Sequence, residues 1–377
     1  TNRSLIWIKN RTDNETNHLT TNTEVADKIL YTNENTAGRD WSNIFEAYLA
    51  GGFQVGNNGN SNANGKNYIA WNFAAEENFF DIVTYTGEAY NPSAKTNGFD
   101  HNLGAVPAMV IIKKYFDNDA YGSWAVYHKD LGNETDAANS KALFLNRADG
   151  QVNSDFWQDT DPTSTRVTIG SGWEVNKEGD EYTAYLFADS PAGGISVGQF
   201  DGTPGTEVNC GFMPDWVMFK RVDGDYNWIV VDTARGMASA DNTDSKYLTP
   251  NTNNDEDTGR IFYKTATGFT ISAGSMLNND KHVYVAIKST VNTDTYYSTK
   301  ELEEINGQEI INKYGISPDS NAARQLGFRE LTEQPDYPVA GYELQADGKY
   351  EPIRSYDADI ARLTAELAAA QATIDTY

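Results

Sequence analysis

The sequence predicts an all-β protein made of tandem antiparallel β-sandwich repeats, followed by a small α+β connector and a C-terminal coiled-coil helix. Short aromatic and β-branched runs alternate with loops rich in Gly, Asn, Asp and Thr, and aromatic residues make up 12% of the chain. Such runs are typical of strands, and such loops are typical of turns. One series of these runs occurs three times, which indicates a repeated unit. Helical spacing begins only after residue 289.

The repeated series opens with a strand that ends in lysine and closes with an aromatic strand. The opening strand reads LIWIK at 5–9, MVIIK at 109–113 and WVMFK at 216–220. The closing strand reads YIAWNFA at 68–74, YTAYLFA at 182–188 and HVYVAIK at 282–288. Large residues lie on both faces of YTAYLFA, so we expect it to be central in its sheet. The predicted β-sandwich domains are residues 1–78, 79–190 and 191–290.

The first copy of the series departs from the other two at two places. It has NHLTTNTEVAD where the others have a strand opened by Trp, WAVYHKDLG at 124 and WIVVDTARG at 228. It also has no leading strand like FDIVTYTG at 80 or SVGQFDG at 196. A sandwich without an edge strand exposes unpaired backbone. We therefore expect residues before Thr1, or another chain, to complete this N-terminally incomplete copy.

The C-terminal part has a different composition and predicts a connector and an oligomerisation helix. Residues 291–354 combine helical spacing at 299–314, a short helix at 318–328 and a hairpin through Asp347-Gly348. Residues 355–377 carry a heptad seam, which predicts that the helix associates with copies of itself. Packing of this helix on the chain's own β domains is the alternative. The seam residues are Tyr356, Ile360, Leu363, Leu367, Ala370, Ile374 and Tyr377.

Charge and cysteine content exclude several classes of partner. A net charge of -25 argues against nucleic acid and anionic membranes, which bind clustered Lys and Arg. No apolar run is long enough to span a bilayer, so we expect neither membrane insertion nor a signal peptide. The single cysteine, Cys210, allows no intramolecular disulfide and no cysteine metal site, and we expect it to be buried.

No sequence motif indicates catalysis. HExxH, P-loop and strand-linked GxGxxG patterns are absent, so we predict no catalytic residue, no cofactor and no metal ligand. The four His residues fall at different points of the repeat, and His101 is expected to serve a turn. Asp155, Asp159 and Asp161, around Phe156 and Trp157, suggest either a sugar-binding or hydrolytic rim or a solvated loop, and the loop is favoured.

Two further patterns have a structural and a functional interpretation. Oxygen-bearing side chains alternate at 223–227, as at the start of a calcium loop, but Trp228 replaces the required glycine, which favours a hairpin turn. The repeated strand ends in basic residues, which suggest one of two interpretations. They form an anion-binding site, or their long side chains lie over apolar surface while the charged ends stay in water. We favour the second interpretation. These residues are Lys9, Lys113, Lys114, Lys220 and Arg221.

Aromatic residues in polar loops are the best candidates for a glycan-binding surface, because a flat ring packs on a sugar face. They are Trp41, Tyr90, Tyr121 and Trp157. Core packing is the alternative for most of the Trp residues.

A family resemblance adds an expected setting. The succession YTG, HNLG..P..VIIK, W.VYH, LFLN, PTST and Y.AYLFA, followed by GF.P.WV..KR and W...DT.RG, resembles a repeated domain of unassigned function found in virion proteins of marine (cyanophage-type) and freshwater bacteriophages. The match is good from Phe79 to Lys288 and weaker from Leu5 to Ala74.

The resemblance implies a non-enzymatic virion protein on the extracellular particle surface, a tail-fibre or related appendage subunit that forms an elongated homo-oligomer. It favours a trimer and brings no catalytic residues. The implied partners are other virion proteins and a host-surface glycan. A head fibre or capsid decoration protein, a carbohydrate-binding module of a secreted adhesin, and a polysaccharide depolymerase are the alternatives.

Overall fold

The computed structural model describes residues 3–25, 28–40, 43–49, 52–116, 122–132 and 136–289, and the two short strands Tyr342–Leu344 and Tyr350–Pro352. The chain divides into two compact units, Thr1–Thr290 and Val291–Tyr377. Antiparallel sheets dominate the first unit, which confirms the predicted all-β class. The helical turns described are α1 at Gly59–Asn62 and 3₁₀ turns at Ala138–Ser140 and Pro191–Gly193.

Three large sheets follow one order of strands. The first sheet runs β4 (Arg39–Asp40), β3 (Lys28–Tyr31), β2 (Leu19–Asn22), β1 (Ser4–Asn10), β7 (Tyr68–Ala74). The second runs β13 (Val152–Asn153), β12 (Lys141–Phe144), β11 (Ala125–His128), β10 (Met109–Phe116), β15 (Glu181–Phe187), β8 (Phe80–Thr86). The third runs β21 (Asp257–Gly259), β20 (Ser245–Leu248), β19 (Ile229–Asp232), β18 (Trp216–Arg221), β24 (Lys281–Ile287), β16 (Ile195–Asp201). As predicted, YTAYLFA lies inside its sheet.

A small sheet accompanies each large one. These small sheets are β5 (Phe45–Leu49) with β6 (Gly52–Val55), β9 (Gly98–Asp100) with β14 (Arg166–Thr168), and β17 (Glu207–Asn209) with β23 (Gly268–Ile271) and β22 (Phe262–Thr265). Phe262 and Phe269 of the third small sheet form one hydrophobic cluster with Val217 and Phe219 of β18. Each pair of layers is therefore sandwich-like. In the second unit, β25 (Tyr342–Leu344) pairs with β26 (Tyr350–Pro352), as expected for the predicted hairpin. The predicted connector helices and the coiled coil lie outside the described residues.

The large sheets share a core on their inner faces. Alternate residues of a strand point to opposite faces, and in β1 Leu5 and Trp7 join the shared core while Ile6 and Ile8 face the first small sheet. Trp216 and Met218 of β18 belong to the same shared core. A cavity of about 20 Å³ remains between side chains of all three sheets. The predicted boundaries at 78/79 and 190/191 thus separate sheets that share one hydrophobic core.

Equivalent backbone hydrogen bonds join the sheets in a closed ring. At each contact, a carbonyl two residues after the repeated lysine accepts from an amide of the neighbouring sheet, and a second amide donates in the opposite direction. These bonds join the second sheet to the first, the third to the second, and the first to the third. Between the first and second sheets, the amides of Gly38 and Gly122 donate to the carbonyls of Tyr115 and Asn35. Between the second and third sheets, the amides of Gln151 and Tyr226 donate to the carbonyls of Val222 and Ala148. Between the third and first sheets, the amides of Glu256 and Glu15 donate to the carbonyls of Arg11 and Asn253.

Two tryptophans reinforce this ring, and His18 stands in the place of the third. Trp124 Nε1 donates to the Tyr31 carbonyl of the first sheet at 3.0 Å, and Trp228 Nε1 donates to the Phe144 carbonyl of the second at 2.9 Å. The backbone amides of Trp124, Trp228 and His18 each donate to an Asn side chain, and this Asn lies two residues before a carbonyl acceptor of the ring. The three acceptor residues are Asn146, Asn251 and Asn33. The second strand is thus present in the first sheet as β2, although its leading tryptophan is replaced.

A buried charge cluster closes the ring between the third sheet and the first. Arg235 and Asp232 form an ion pair at 2.6 Å, and the same Asp232 oxygen accepts from Trp71 Nε1 at 3.0 Å. The Arg235 guanidinium lies 5.4 Å from the centre of the Trp71 ring. Arg11 binds both carboxylate oxygens of Glu256 at 2.8 Å. These contacts pair each buried charge of the closure with a group of opposite charge.

The repeated lysines are buried, which corrects the prediction that their charges stay in water. Lys9 Nζ donates to the Thr16 carbonyl at 2.8 Å, and Lys220 Nζ donates to the Arg221 carbonyl at 2.7 Å. Lys113 Nζ donates to the Gly122 carbonyl. Burial lowers the pKa of Lys9 and of Lys220 to about 8. Lys114, also buried, pairs with Asp180 at 3.2 Å.

The buried ammonium of Lys220 predicts a stability that increases with pH above neutrality. Its pKa is about 8 in the folded protein and 10.5 in an unfolded chain, so between these values the unfolded state binds more protons. We therefore expect the free energy of unfolding of the wild type to rise, relative to that of Lys220→Met, between pH 7.5 and pH 9.5. Urea unfolding of both proteins measures this difference. A difference that stays constant with pH would contradict the assignment.

Candidate ligand-binding surface

The predicted glycan-binding aromatics divide between surface and core. Tyr90 is 38% exposed, in agreement with a surface role. Trp157 is only 1% exposed, and its Nε1 donates to the Lys141 carbonyl at 2.9 Å. Because its one polar group is satisfied inside the protein, the indole packs in the core and its face is unavailable to a sugar. Trp41 and Tyr121 lie outside the described residues.

Trp173 is the most exposed of the described aromatic residues that the sequence prediction omitted. Its side chain is 68% exposed, and Lys177 Nζ lies 5.5 Å from the ring centre. The backbone below it is fixed, because the Tyr182 hydroxyl donates to the Trp173 carbonyl at 2.8 Å. The signal in the sequence was a tryptophan in the polar stretch SGWEVNKEG, which is the same signal that selected Trp157.

Three loops of the second sheet are held together beside these aromatics, and we call them the loop platform: residues 87–97, 154–162 and 171–180. Asn176 Oδ1 accepts from the Glu88 amide at 2.8 Å, which ties the loop of Trp173 to the loop of Tyr90. Lys95 Nζ donates to the Gln158 carbonyl at 2.8 Å, which ties the first loop to the second. Tyr90 and Trp173 therefore project from a connected surface.

The platform also contains strained backbone. Lys95, Gln158 and Asp159 have φ angles of 47°, 50° and 46°, in the left-handed region. For residues with a side chain, this conformation costs roughly 1–2 kcal/mol each. Such outliers persist where surrounding contacts hold them, and they cluster at binding sites, so their presence here supports a functional surface.

The three aspartates predicted to share one rim line two different grooves. Asp155 and Asp159 line an open groove with Phe156. Asp161 lines a second groove with Lys129 and Asp189, and it accepts a hydrogen bond from Asn139 at 3.0 Å. All three carboxylates are exposed, as expected for a solvated loop. Each groove offers oxygen acceptors to hydroxyl groups and has an aromatic residue in its lining, Phe156 in the first and Tyr127 in the second.

The histidines, Cys210 and the turn at 223–227 each have a structural role. Burial lowers the pKa of His128 and of His282 to about 4, so both are neutral near pH 7. His101 accepts from the Leu103 amide within its turn, as predicted. Cys210 is buried, and its pKa is raised to about 11. The turn at 223–227 joins β18 to the antiparallel β19, which confirms the hairpin.

Two features are absent from the part of the chain that the structure describes. No group of three or more His, Cys, Asp or Glu residues in that part of the chain is arranged to hold a metal ion. No helix found there is long and apolar enough to cross a bilayer.

Comparison with known proteins identifies a family and no activity. A family model described as a domain of unknown function, DUF7483, matches residues 1–290. The chain therefore belongs to this family. No curated protein and no solved structure matched the chain.

The different burial of Trp157 and Trp173 predicts unequal effects of their replacement on stability. Trp157→Ala should lower the free energy of unfolding by about 3–5 kcal/mol, because it leaves a cavity in the core and an unsatisfied carbonyl. Trp173→Ala should change it by less than about 0.5 kcal/mol, since the ring lies in solvent. Urea unfolding of the two variants beside the wild type measures both effects. Equal destabilisation would contradict the division of the aromatics into core and surface.

Proposed function

We propose that this member of the DUF7483 family is a bacteriophage virion structural protein, a subunit of a tail fibre or related appendage. In this proposal it assembles as a homo-oligomer and contacts the host surface. The motifs from Phe79 to Lys288 support the virion setting through their resemblance to repeated domains of phage virion proteins. The ring of three sheets is the structural observation that supports a rigid binding unit, because backbone hydrogen bonds join every pair of sheets.

In this proposal, assembly and surface contact lie in different parts of the chain. The inner faces of the three sheets cover one another within residues 1–290, so the β unit's core needs no second protomer. The heptad seam at 355–377 then associates the chains, with a trimer favoured by the family resemblance. Several β units in one oligomer bring their weak surfaces together, and avidity replaces single-site affinity.

The host contact is assigned to the loop platform. Tyr90 and Trp173 offer rings to the face of a sugar, and nearby Asp155 and Asp159 offer acceptors to its hydroxyl groups. The connected loops support binding, because a surface that is already ordered loses little entropy on contact with a ligand.

A carbohydrate-binding module of a secreted adhesin is the second candidate, and the exposure of Trp173 favours it equally. A head fibre or capsid decoration protein is the third. Immunogold labelling of intact particles distinguishes them: gold on tail appendages supports the first proposal, gold on heads supports the third, and unlabelled particles support the adhesin. Release of reducing ends from host polysaccharide would instead indicate a depolymerase.

The proposed seam predicts that oligomerisation requires the C-terminal helix. We expect native mass measurements at micromolar concentration to give a homo-oligomer, with a trimer as the leading expectation, for the full chain. A chain ending at residue 350 should be monomeric. Leu363→Asp should have the same effect, since a carboxylate in the seam loses its hydration on association. A monomeric full chain, or an oligomeric truncated chain, would contradict the proposal.

The assignment of the platform predicts that glycan binding depends on Trp173. On an array of host-envelope glycans, the full chain should give signals that Trp173→Ala reduces at least about fivefold, because aromatic stacking on a ligand contributes about 1–3 kcal/mol. Met213→Ala, which removes an exposed apolar side chain of another segment, is the matched control and should bind as the wild type does. Unchanged binding by Trp173→Ala would reject the platform as the contact.

A further inference from the structure

The groove that Asp161 lines with Lys129 and Asp189, which we call the second groove, has the size and lining of a small-molecule site. Its volume is about 430 Å³, within the usual range for clefts that bind small molecules. Most of its lining is apolar, and the side chain of Val106 there is 52% exposed. The other apolar residues include Pro107, Ala137, Ala138 and Pro162.

The equivalent place in the third sheet is closed by side-chain hydrogen bonds. Asp215, directly before β18, accepts from the Thr233 hydroxyl at 3.3 Å. Its other carboxylate oxygen accepts from the Ser289 hydroxyl at 2.9 Å and from the Ser289 amide at 3.0 Å. One carboxylate therefore bridges the chain after β19 and the chain after β24.

The second sheet has the same backbone at this place but lacks the bridge. The Lys129 amide donates to the Ala108 carbonyl at 2.8 Å, as the Thr233 amide donates to the Asp215 carbonyl at 2.8 Å. Ala108 thus occupies the position of Asp215, and its methyl group makes no hydrogen bond. Because Ala108 lines the groove, the opening lies where the third sheet has its bridging carboxylate.

The lysine of the second groove is already paired. Lys129 Nζ lies 3.0 Å from Asp130 Oδ2 and 3.7 Å from Asp189 Oδ2. Two carboxylates share its charge, which leaves the ammonium group poorly placed to bind an anion. Asp161 and Asp189 outnumber Lys129 among the charged residues described in the lining, so the groove favours a cation.

Asp161 is the carboxylate of the groove that can receive this cation. Its partners among the described residues are neutral: Asn139 Nδ2 donates to it at 3.0 Å, and the Tyr127 hydroxyl is hydrogen-bonded to it. The two oxygens of a carboxylate together offer about four acceptor positions, so Asp161 retains room for a charged donor.

We propose that the second groove binds a small aliphatic amine, whose apolar body lies along Val106 and Pro107 and whose ammonium group binds Asp161. The apolar lining selects the body of the ligand, and the carboxylate selects its charge. A sugar fits less well, because the ring of Tyr127 is only 4% exposed and is the one aromatic ring in the described lining. The inference uses neither Tyr90 nor Trp173, so it does not depend on the proposed function.

The test measures binding of n-pentylammonium chloride to the full chain by saturation-transfer NMR. We expect saturable signals from the alkyl protons of this amine. Pentan-1-ol has the same body without the charge, and ethylammonium has the same charge on a shorter body. Each should bind at least about threefold more weakly, because each lacks one of the two interactions. Absence of saturable binding by n-pentylammonium, or equal affinity for pentan-1-ol, would overturn the proposal.

Variants at two exposed positions locate the site. Asp161→Asn should weaken binding of n-pentylammonium about threefold, since it removes the charge and keeps the shape. Ala137→Trp should abolish binding, because the larger side chain fills the groove. Glu207→Gln removes the same charge from an exposed residue of β17 and is the matched control, which should bind as the wild type does. Unchanged binding by Asp161→Asn and Ala137→Trp, or equal weakening by Glu207→Gln, would reject the second groove as the site.

Discussion

Each large sheet turns an apolar face inward, and that face is covered only when the other two sheets close against it. The contact between the third sheet and the first closes the ring, and it carries buried charged groups. There Asp232 accepts from both Arg235 and Trp71, and Arg11 binds Glu256. A buried ion pair stabilises little by itself, but removing one partner leaves an uncompensated charge and is strongly destabilising. The cluster therefore enforces correct closure more than it adds stability.

At each contact between two large sheets, a polar side chain at the same position of the repeat bonds to the next sheet, but the residue type differs from contact to contact. Four residues after His18, Trp124 and Trp228 come Asn22, His128 and Asp232, and each is bonded to the next sheet in the ring. The partners are the Tyr185 hydroxyl for Asn22, the Tyr284 carbonyl for His128, and the Trp71 indole for Asp232. If two sheets exchanged places in the ring, these buried polar groups would lose their hydrogen-bond partners. The free-energy cost of that loss disfavours a wrong order of the sheets.

Local sequence patterns predicted the strands well. They did not predict the burial of side chains whose partners are distant in the sequence. The alternation in YTAYLFA was sufficient to place β15 inside its sheet. The burial of Lys9 was not predictable, because the Thr16 carbonyl and the third sheet that cover it are set by tertiary packing. Trp157 and Trp173 lie in similar polar loops, and only the Lys141 carbonyl, brought close by folding, draws one of them inward. The β2 strand was missed because His18 occupies the position of a tryptophan in a pattern that relied on the tryptophan.

The contact between Arg11 and Glu256 also constrains the order of events during synthesis. These residues are 245 positions apart, so the first sheet is made long before its second neighbour exists. Until the third sheet emerges, the inner face with Leu5 and Trp7 lacks part of its cover. We therefore expect closure of the ring to be a late step of folding, because contacts between residues far apart in the sequence form slowly. A ribosome-bound chain of this protein would expose an apolar surface until the third sheet has been made, a period in which a bound chaperone would protect it from aggregation.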